Sequence, residues 1–521
     1  MNAGASLSSL PWAWLPWSTD AFQRAQVSGK PVLLALDTRW SSAARAAHAR
    51  LFADPRVAAR IAASYVPVRV DADRRPDIAE RYVLGAWPTI AFLTPEGDLL
   101  GGGTTVDVDR LLPILDGLAE RFARDRVALA IEAAAARVRA SADVPEDDAV
   151  PDADEILLAS LDRHLLDAYD TAHGGFHDAR TSPEAQDTQD DRVERGAPVP
   201  QASPLLYALR RSAVTRDERL LRAATHTLDR LGWPEGDRDP DDVRGGVASG
   251  AIDYAAAHGD WTDRDVAWRL DDHAALVPVF IEAWTLTGHE PYGDRARAAI
   301  AFVLDTLGRS PRGLFAHSAW PLDASMAIDA TACTDANARM IRTLLVAGAA
   351  FDRTDWAERA VHAAEQLLAR VYERTAGLAH CVDLDGDPGS PAAASIRGLL
   401  GDQVYASAVL LDLADATGQR VYLDLADELM RACLRKMWDD RAGAFRDRVP
   451  TSAGANSVGL LAEPVHPFAV NAEAVRVLER LRDASDPPGA EARARDVRAF
   501  LRRSVTRQGV LAAEYGLLQI G

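Results

Sequence analysis

The chain has 521 residues, 48% of them hydrophobic, so it can bury large cores, and its length allows two or three domains. A formal net charge of -19 at pH 7 argues against nucleic acid or an anionic membrane as a partner. The three cysteines, Cys333, Cys381 and Cys433, form no close pair, which excludes a disulfide framework and a cysteine-based zinc site.

The sequence predicts no targeting or membrane-spanning segment. No apolar run reaches the roughly 20 residues that a transmembrane helix needs. Met1–Leu10 lacks the basic start and the continuous apolar core of a signal peptide. We therefore expect a cytoplasmic protein without a membrane partner, and we predict neither a cofactor nor a metal site.

The N-terminal part of the chain predicts an α/β domain. Pro31–Leu36 is a continuous apolar run that predicts a buried strand, and a helix is predicted to follow over about Ala43–Ala53. Tyr65–Val70 and Thr89–Leu93 predict two more strands, with a short helix over Asp77–Leu84 between them. Strands that alternate with helices and end in a hairpin are typical of an α/β sandwich.

Two local features of this domain resemble thioredoxin. Trp40 follows the first predicted strand, and Pro88 directly precedes the third within a Trp-Pro-Thr sequence. The corresponding proline of thioredoxins has a cis peptide bond and lies beside the active-site loop, and cis X–Pro bonds are uncommon. We therefore expect a thioredoxin-like fold in which Pro88 is cis.

A change of composition separates this domain from the rest of the chain. Ser141–Asp154 is acidic, contains prolines and has no apolar periodicity, which predicts a linker. We place the thioredoxin-like domain at residues 1–125, a connecting helix with the acidic linker at 126–152, and a second domain at 153–521. Residues 178–200 are also acidic and predict a loop excursion from the second domain.

The second domain contains a sixfold repeat. Glycine-led tripeptides begin at Gly174, Gly245, Gly313, Gly377, Gly443 and Gly509. Successive glycines lie between 64 residues (313 to 377) and 71 residues (174 to 245) apart. A second marker, Thr287-Gly288, returns 130 residues later (287 to 417) as Thr417-Gly418. A period of this length, repeated six times, indicates a closed ring rather than an open array.

Each repeat predicts an apolar helix followed by an amphipathic one, as in Asp335–Phe351 and Asp355–Val371. Apolar helices must be buried and amphipathic ones can cover them, which predicts two concentric layers. Two predicted helices are left without a partner: an outer helix over Glu155–Tyr169 and an inner helix over Val510–Ile520. Pairing these two helices closes an all-α (α/α)6 six-hairpin toroid. Three leucines of the closing helix are expected to be buried: Leu511, Leu517 and Leu518.

Short motifs in both domains match one known family. They lie at Phe52–Ala58, Val70–Ile78, Trp87–Gly97 and Thr334–Ala338. These motifs resemble a family of thioredoxin-domain-containing proteins that includes spermatogenesis-associated protein 20. The resemblance implies a thioredoxin-like domain followed by a six-hairpin toroid, which covers essentially the whole chain.

The chain departs from that family at two places that bear on chemistry. Where the family has Cys-x-x-Cys, this chain has Ser41 and Ala44, and no cysteine precedes Cys333. Thiol–disulfide exchange needs a thiolate nucleophile and a resolving thiol, so Ser41, Ala44 and Pro88 are interpreted as a degenerate redox site. Where the family has a His-Phe-Glu-Lys-Met run, this chain reads Asp265–Arg269, so that histidine and glutamate are missing.

The mouth of the ring is the remaining candidate site, because the first turns of the inner helices should face it. Carboxylates beside an imidazole are the groups needed for acid/base attack on a sugar. The candidate catalytic residues are Asp272, His273, Asp335 and Asp402. The candidate substrate-binding residues are Trp261, Trp268, Asn337, His317, His380 and Asn471.

Two functions are compatible with these residues. The first is binding or modification of a small carbohydrate-like ligand at the mouth, in the manner of a hydrolase or an epimerase. The second is a non-catalytic scaffold in which both ancestral sites are lost, because carboxylates in the first turn of a helix are also ordinary caps. A cavity with converging carboxylates would favour the first, and a mouth filled by apolar side chains the second.

We predict that the chain does not reduce insulin, because Ser41 and Ala44 replace both thiols that the reaction requires. Its thermal stability should be the same with and without reductant. The assay compares the chain with an active thioredoxin and with a protein-free blank, and reduction above that blank would contradict the prediction.

Overall fold

The computed structural model describes residues 12–85, 87–104, 107–142, 154–177, 201–232, 267–322, 325–385, 396–451, 454–485 and 489–520. The chain forms two compact units: Met1–Val144 with Arg448–Val465, and Pro145–Asp447 with His466–Gly521. Within the described ranges, no helix combines the length and the apolar character needed to cross a membrane.

The first unit is built on a mixed four-stranded sheet with the order β2–β1–β3–β4. The strands are β1 (Val32–Asp37), β2 (Val66–Asp71), β3 (Thr89–Leu93) and β4 (Leu99–Gly103). Strand β1 is parallel to β2 and antiparallel to β3, and β3 is antiparallel to β4. Every residue of β1 is buried, and the side chains of Val32–Leu36 alternate between two apolar clusters, one on each face of the sheet.

Helices cover both faces of this sheet. They are α1 (Thr19–Ser28), α2 (Ser42–Ala53), α3 (Pro55–Ser64), α4 (Pro76–Tyr82) and α5 (Val108–Ala142). Asp125 interrupts α5 with non-helical dihedral angles (φ -126°, ψ 30°), so the domain boundary predicted at residue 125 falls on a kink in a continuous helix. The order of strands and helices agrees with the predicted α/β domain, and the Trp87–Pro88 peptide bond is cis as predicted.

A segment from far along the chain completes this unit. Arg448–Val465 lies within the range predicted for the second domain, yet the structure groups it with the first. Its Arg448 binds Asp77 at 3.0 Å, and Asp77 also binds Arg75 at 2.9 Å. The charges of these arginines hold the buried carboxylate in its ionised form.

The same segment also supplies apolar contacts. Leu461 is buried in the apolar cluster that contains Trp17 and Tyr82. The backbone N–H of Leu460 donates to the Tyr82 hydroxyl at 2.9 Å, and that hydroxyl donates to the carbonyl of Gly97 at 2.7 Å. The core of the first unit therefore includes residues more than 370 positions away from Tyr82 (82 to 460).

The second unit is a ring of helices that alternate between an outer and an inner layer. Beginning with an outer helix, they are α6 (Asp154–Ala168), α7 (Ala202–Thr215), α8 (Glu218–Gly232), α9 (Leu270–Thr287), α10 (Glu290–Phe302), α11 (Thr334–Ala350), α12 (Thr354–Val371), α13 (Leu400–Thr417), α14 (Arg420–Lys436), α15 (Phe468–Ser485), α16 (Ala490–Ser504) and α17 (Ala513–Ile520). Each inner helix contacts the next, and α17 contacts both α15 and α7. The ring therefore closes, which confirms the predicted toroid.

Short strands connect the helices at one end of the ring, and the sequence analysis did not predict them. They are β5 (Trp268–Arg269), β6 (Ser318–Leu322), β7 (Ser325–Asp329), β8 (Thr331–Cys333), β9 (Tyr372–Glu373), β10 (Gly377–Leu378), β11 (Cys381–Asp383), β12 (Trp438–Asp439) and β13 (Ala444–Phe445). Strands β5, β6 and β7 form one sheet, and β8 pairs with β11. Runs of two to five residues are too short to show an alternating pattern.

The repeated glycines have a common backbone conformation. Positive φ angles of 54–77° occur at Gly174, Gly313, Gly377, Gly443 and Gly509, whereas Gly245 lies outside the described residues. Side chains with a Cβ rarely adopt this conformation, which explains why each loop keeps a glycine. The Thr-Gly marker is explained similarly: Gly288 and Gly418 end α9 and α13 in the left-handed conformation.

The closing helix is shorter than predicted. Residues Gly509–Ala512 form a 3-10 turn and α17 begins at Ala513, so the predicted helix Val510–Ile520 is wrong at its start. Leu517 is buried, but Leu511 and Leu518 are only half-buried. The reason is that Leu511 lies in the turn and Leu518 follows Leu517 onto a different face of the helix.

We predict that Leu517→Ala lowers the free energy of unfolding by about 2–5 kcal/mol, because the buried side chain seals the ring between α15 and α7. Removal of residues 509–521 should have a larger effect. Urea denaturation would measure both changes.

The matched control is Val421→Ala, since Val421 is 61% exposed on an outer helix and should change stability by less than about 0.5 kcal/mol. A truncated chain that unfolds at the same urea concentration as the intact one would show that α17 does not close the ring.

Candidate functional site

Two of the predicted ligand-binding residues hold the glycine-led loops in place. Asn337 accepts a hydrogen bond from the N–H of Phe315 at 2.9 Å and donates to the carbonyl of the same residue at 3.0 Å. Asn471 makes the same pair of bonds to Phe445, at 2.9 and 3.0 Å. Each amide also donates to the carbonyl four residues earlier. Both side chains are fully buried, so a structural role replaces the predicted ligand contact.

His273 occupies the equivalent fourth position of its helix and is also buried. Its Nδ1 donates to the carbonyl of Arg269 at 2.7 Å, and its ring stacks on Phe302 with a centroid separation of 5.1 Å. Trp268 packs edge-on against the same Phe302 and is buried. These contacts place His273 and Trp268 in the packing between layers, which corrects their predicted catalytic and substrate-binding roles. Trp261 lies outside the described residues.

The neighbouring carboxylates form a charged pair with unequal environments. Burial alone would raise the pKa of Asp271, but Arg339 and Arg269 lower it to about 2. Burial raises the pKa of Asp272, with a further contribution from the charge of Asp271. Two neighbouring carboxyl groups whose surroundings shift their pKa values in opposite directions can divide acid and base roles between them. His317 is buried.

Three other predicted residues are brought together by the fold. His380 donates from Nδ1 to Asp402 at 3.0 Å, and both side chains are buried. Asp335 lies close by, so that one ligand atom from each of the three lies within 4.8 Å of the others. Such a group could hold a metal ion, which the sequence analysis did not predict.

The protonation of this group follows from its burial and charge. Burial would lower the pKa of His380, but the charge of Asp402 and the hydrogen bond to it raise that pKa well above its ordinary value. Asp402 thus favours the protonated form of His380, and the two buried groups partly compensate each other's burial. Without this partner the buried carboxylate would lose most of its solvation without compensation.

A cavity of about 400 Å³ lies inside the ring, and all six inner helices line it. Its charged and aromatic lining consists of Arg210, Glu282, Arg339, Arg342, Tyr405, Glu473, Arg476 and Glu514. Arg339 links this cavity to the carboxylates described above, because it contacts Asp271 and lies over the Tyr405 ring at 5.2 Å.

The sequence analysis missed these lining residues, although a signal for them exists. The candidates came from first helical turns and from the loops that precede them, and none of the described candidates lines this cavity. Arg339 and Arg342, like Glu473 and Arg476, lie three residues apart on helices predicted to be buried. Charged residues are almost never fully buried unless they are paired, so their presence on inner helices indicates a polar interior.

Ser41, which was interpreted as part of a degenerate redox site, makes hydrogen bonds at the start of α2. Ser41 is buried and caps α2, since its hydroxyl accepts a hydrogen bond from the N–H of Ala44 at 3.2 Å. The N–H of Ser41 in turn donates to the Thr38 hydroxyl at 3.4 Å. The position that would carry the nucleophile therefore stabilises the start of a helix.

Comparison with known proteins supports the predicted resemblance for both parts of the chain. Residues 6–138 match the family model Thioredox_DsbH, described as a protein of unknown function, DUF255. Spermatogenesis-associated protein 20 from Homo sapiens is 23% identical over 323 residues, which is 58% of this chain and 38% of that protein. The Rattus norvegicus protein of the same name is 22% identical over 322 residues, again 58% of this chain and 38% of its own length. This chain thus matches little more than a third of each relative.

The toroid resembles solved structures of sugar-converting enzymes. A crystal structure of D-mannose isomerase aligns with a TM-score of 0.50 and 15% identity, over 67% of this chain and 86% of the other. At this identity the likeness shows the fold alone. The fold is therefore a thioredoxin-like domain followed by a six-hairpin (α/α)6 toroid.

We predict that Asn337→Ala lowers the free energy of unfolding by about 2–3 kcal/mol, because it leaves buried backbone groups of the loop without partners. Asn471→Ala should have a similar effect, since its bonds have the same geometry. Chemical denaturation of the two variants tests the structural assignment. Unchanged stability in both variants would contradict it.

Proposed function

We propose that the toroid binds a small carbohydrate-like molecule in its central cavity, and that the thioredoxin-like unit performs no thiol–disulfide exchange. The observation that carries the first part is the cavity on the inner face of all six inner helices, whose lining combines charged side chains with apolar ones. Its volume of about 400 Å³ lies within the range of ordinary small-molecule sites.

The lining offers the groups that a polyhydroxylated ligand needs. Arg339 and Arg342 present planar guanidinium groups with several N–H donors, and Glu473 and Glu514 present carboxylate acceptors. Tyr405 adds an aromatic ring to the wall. Hydroxyl groups both donate and accept, so they can join such a surface without leaving a polar group unpaired.

The environment of the cysteines supports the second part of the proposal. Cys333, Cys381 and Cys433 are all buried in the toroid. Burial raises the pKa of the Cys433 thiol to about 12, which keeps it from forming the reactive thiolate. In the thioredoxin-like unit, the hydroxyl of Ser41 is engaged as a helix cap.

The alternative is a non-catalytic scaffold. It is favoured by the burial of His273 in interlayer packing and by the use of Asn337 and Asn471 as loop clamps. The similarity to the D-mannose isomerase structure concerns the fold alone and does not distinguish the two proposals. A binding experiment distinguishes the two proposals.

We expect at least one neutral mono- or disaccharide to raise the melting temperature of the intact chain in a thermal-shift screen. A ligand at a hundred times its Kd stabilises the folded state by about 2.7 kcal/mol. Tyr405→Ala should weaken that binding about tenfold or more, because it removes a wall of the cavity.

The control is Tyr372→Ala, which removes a tyrosine bound to Glu428 on the outer layer and should leave ligand affinity unchanged. If no saccharide stabilises the intact chain, the cavity is not a carbohydrate site and the scaffold proposal stands. Equal losses of affinity in the two variants would place the ligand outside the cavity.

A further inference from the structure

Each arginine that lines the cavity already has a carboxylate partner. Arg342 binds Glu473 at 2.6 Å and Asp412 at 3.0 Å, and Arg476 binds Glu473 at 2.8 Å. Arg476 also binds Glu514 at 3.3 Å. The two remaining arginines are paired with carboxylates in the same way: Arg210 with Glu282, and Arg339 with Asp271.

Glu473 holds the central position in this arrangement. One carboxylate oxygen contacts Arg342 and the other contacts Arg476, so a single side chain joins two cations. Its side chain is 8% exposed, whereas those of Arg342 and Arg476 are 39% and 28% exposed. All three side chains line the cavity, and the carboxylate that neutralises the two arginines is the least exposed of them.

This pairing determines which ligands can enter at low energetic cost. A phosphate or carboxylate would have to displace Glu473 from an arginine or lie beside it as a like charge, and both are unfavourable. A hydroxyl group can accept from a spare guanidinium N–H and donate to a carboxylate oxygen while the ion pairs stay intact.

We propose that the cavity selects uncharged polyhydroxylated ligands over anionic ones, and that Glu473 is the residue that sets this selectivity. The part of this inference that concerns uncharged ligands rests on the proposed function, carbohydrate binding. The role of Glu473 in excluding anions can be tested independently of that ligand.

The first test uses the intact chain and compares ligands that share one ring but differ in charge. D-Glucose, D-glucuronate and D-glucose 6-phosphate are titrated at equal ionic strength, alongside the neutral saccharides that stabilise the protein. We expect tighter binding of the neutral compounds than of either anion. Preferential binding of D-glucuronate or D-glucose 6-phosphate would overturn the inference and leave carbohydrate binding in place.

The second test measures the affinity for inorganic phosphate by calorimetry. Glu473→Gln keeps the size of the side chain and gives the cavity one additional positive charge, so we expect phosphate to bind about ten- to a hundredfold more tightly. Glu479→Gln is the matched control, because it lies on the same helix α15 but pairs with Arg498 of the outer layer at 2.8 Å. This control should not change phosphate binding.

Glu514→Gln provides a second variant in case Glu473→Gln does not fold. Glu514→Gln removes a carboxylate partner from Arg476 alone, whereas Glu473→Gln removes one from two arginines. The gain in phosphate affinity should therefore be smaller than for Glu473→Gln but larger than for Glu479→Gln. If no saccharide binds the intact chain, the proposed function fails, and the phosphate titrations still decide the role of Glu473. Equal phosphate affinity in the intact chain and in the Glu473 and Glu514 variants would overturn it.

Discussion

Closure of the helical ring is the constraint on which the toroid depends. Because each inner helix has a neighbour on both sides and an outer helix behind it, most of its surface is removed from water. A polar side chain on an inner helix must therefore find a partner inside the protein. Asn337 and Asn471 bind the backbone of a neighbouring loop, and Asp402 accepts a hydrogen bond from His380. The candidate site is thus a consequence of how the ring satisfies its buried polar groups.

The first unit depends on a different interaction, the buried ion pair between Asp77 and Arg448. Burial would raise the pKa of Asp77, but hydrogen bonds and charges from Arg75 and Arg448 lower it, so the carboxylate stays ionised. Loss of Arg448 would leave that buried charge partly uncompensated. The resulting loss of stability exceeds the net stabilisation that the intact ion pair provides. A segment that follows the fifth glycine loop of the repeat is thereby required for the packing around α4.

Much of the fold could be predicted because the sequence repeats the same features at regular intervals. The loop glycines and the two Thr-Gly sequences mark places where the backbone needs a left-handed conformation, and only a few residue types allow it. The predicted inner helix Asp335–Phe351 and the observed Thr334–Ala350 accordingly differ by one residue at each end. The placement of Arg448–Val465 could not be predicted, because nothing local distinguishes Arg448 from a solvent-exposed arginine.

The candidate site was less predictable because adjacent residues in a helix point in different directions. Asp272 and His273 are neighbours in sequence, yet one lies among charged groups and the other in aromatic packing. Composition identifies the first turn as polar. Which of its side chains face the cavity and which pack against the outer layer depends on how the helix is rotated about its own axis, and the neighbouring helices set that rotation. The charged residues farther along Thr334–Ala350 and Phe468–Ser485 indicate a polar interior, but their sequence positions do not show that they line one shared cavity.

The ion pairs on that axis also influence how the cavity can bind a ligand. A ring of six inner helices leaves a space of about 400 Å³, and the arginines that line it are paired with carboxylates before any ligand arrives. The protein therefore does not need a bound ligand to remain folded, and a ligand must compete with hydrogen bonds that already exist. Each new contact therefore adds little to the affinity of the ligand. A ligand group that disrupts an arginine–carboxylate pair lowers the affinity strongly. Such a cavity distinguishes ligands mainly by the charges that it rejects.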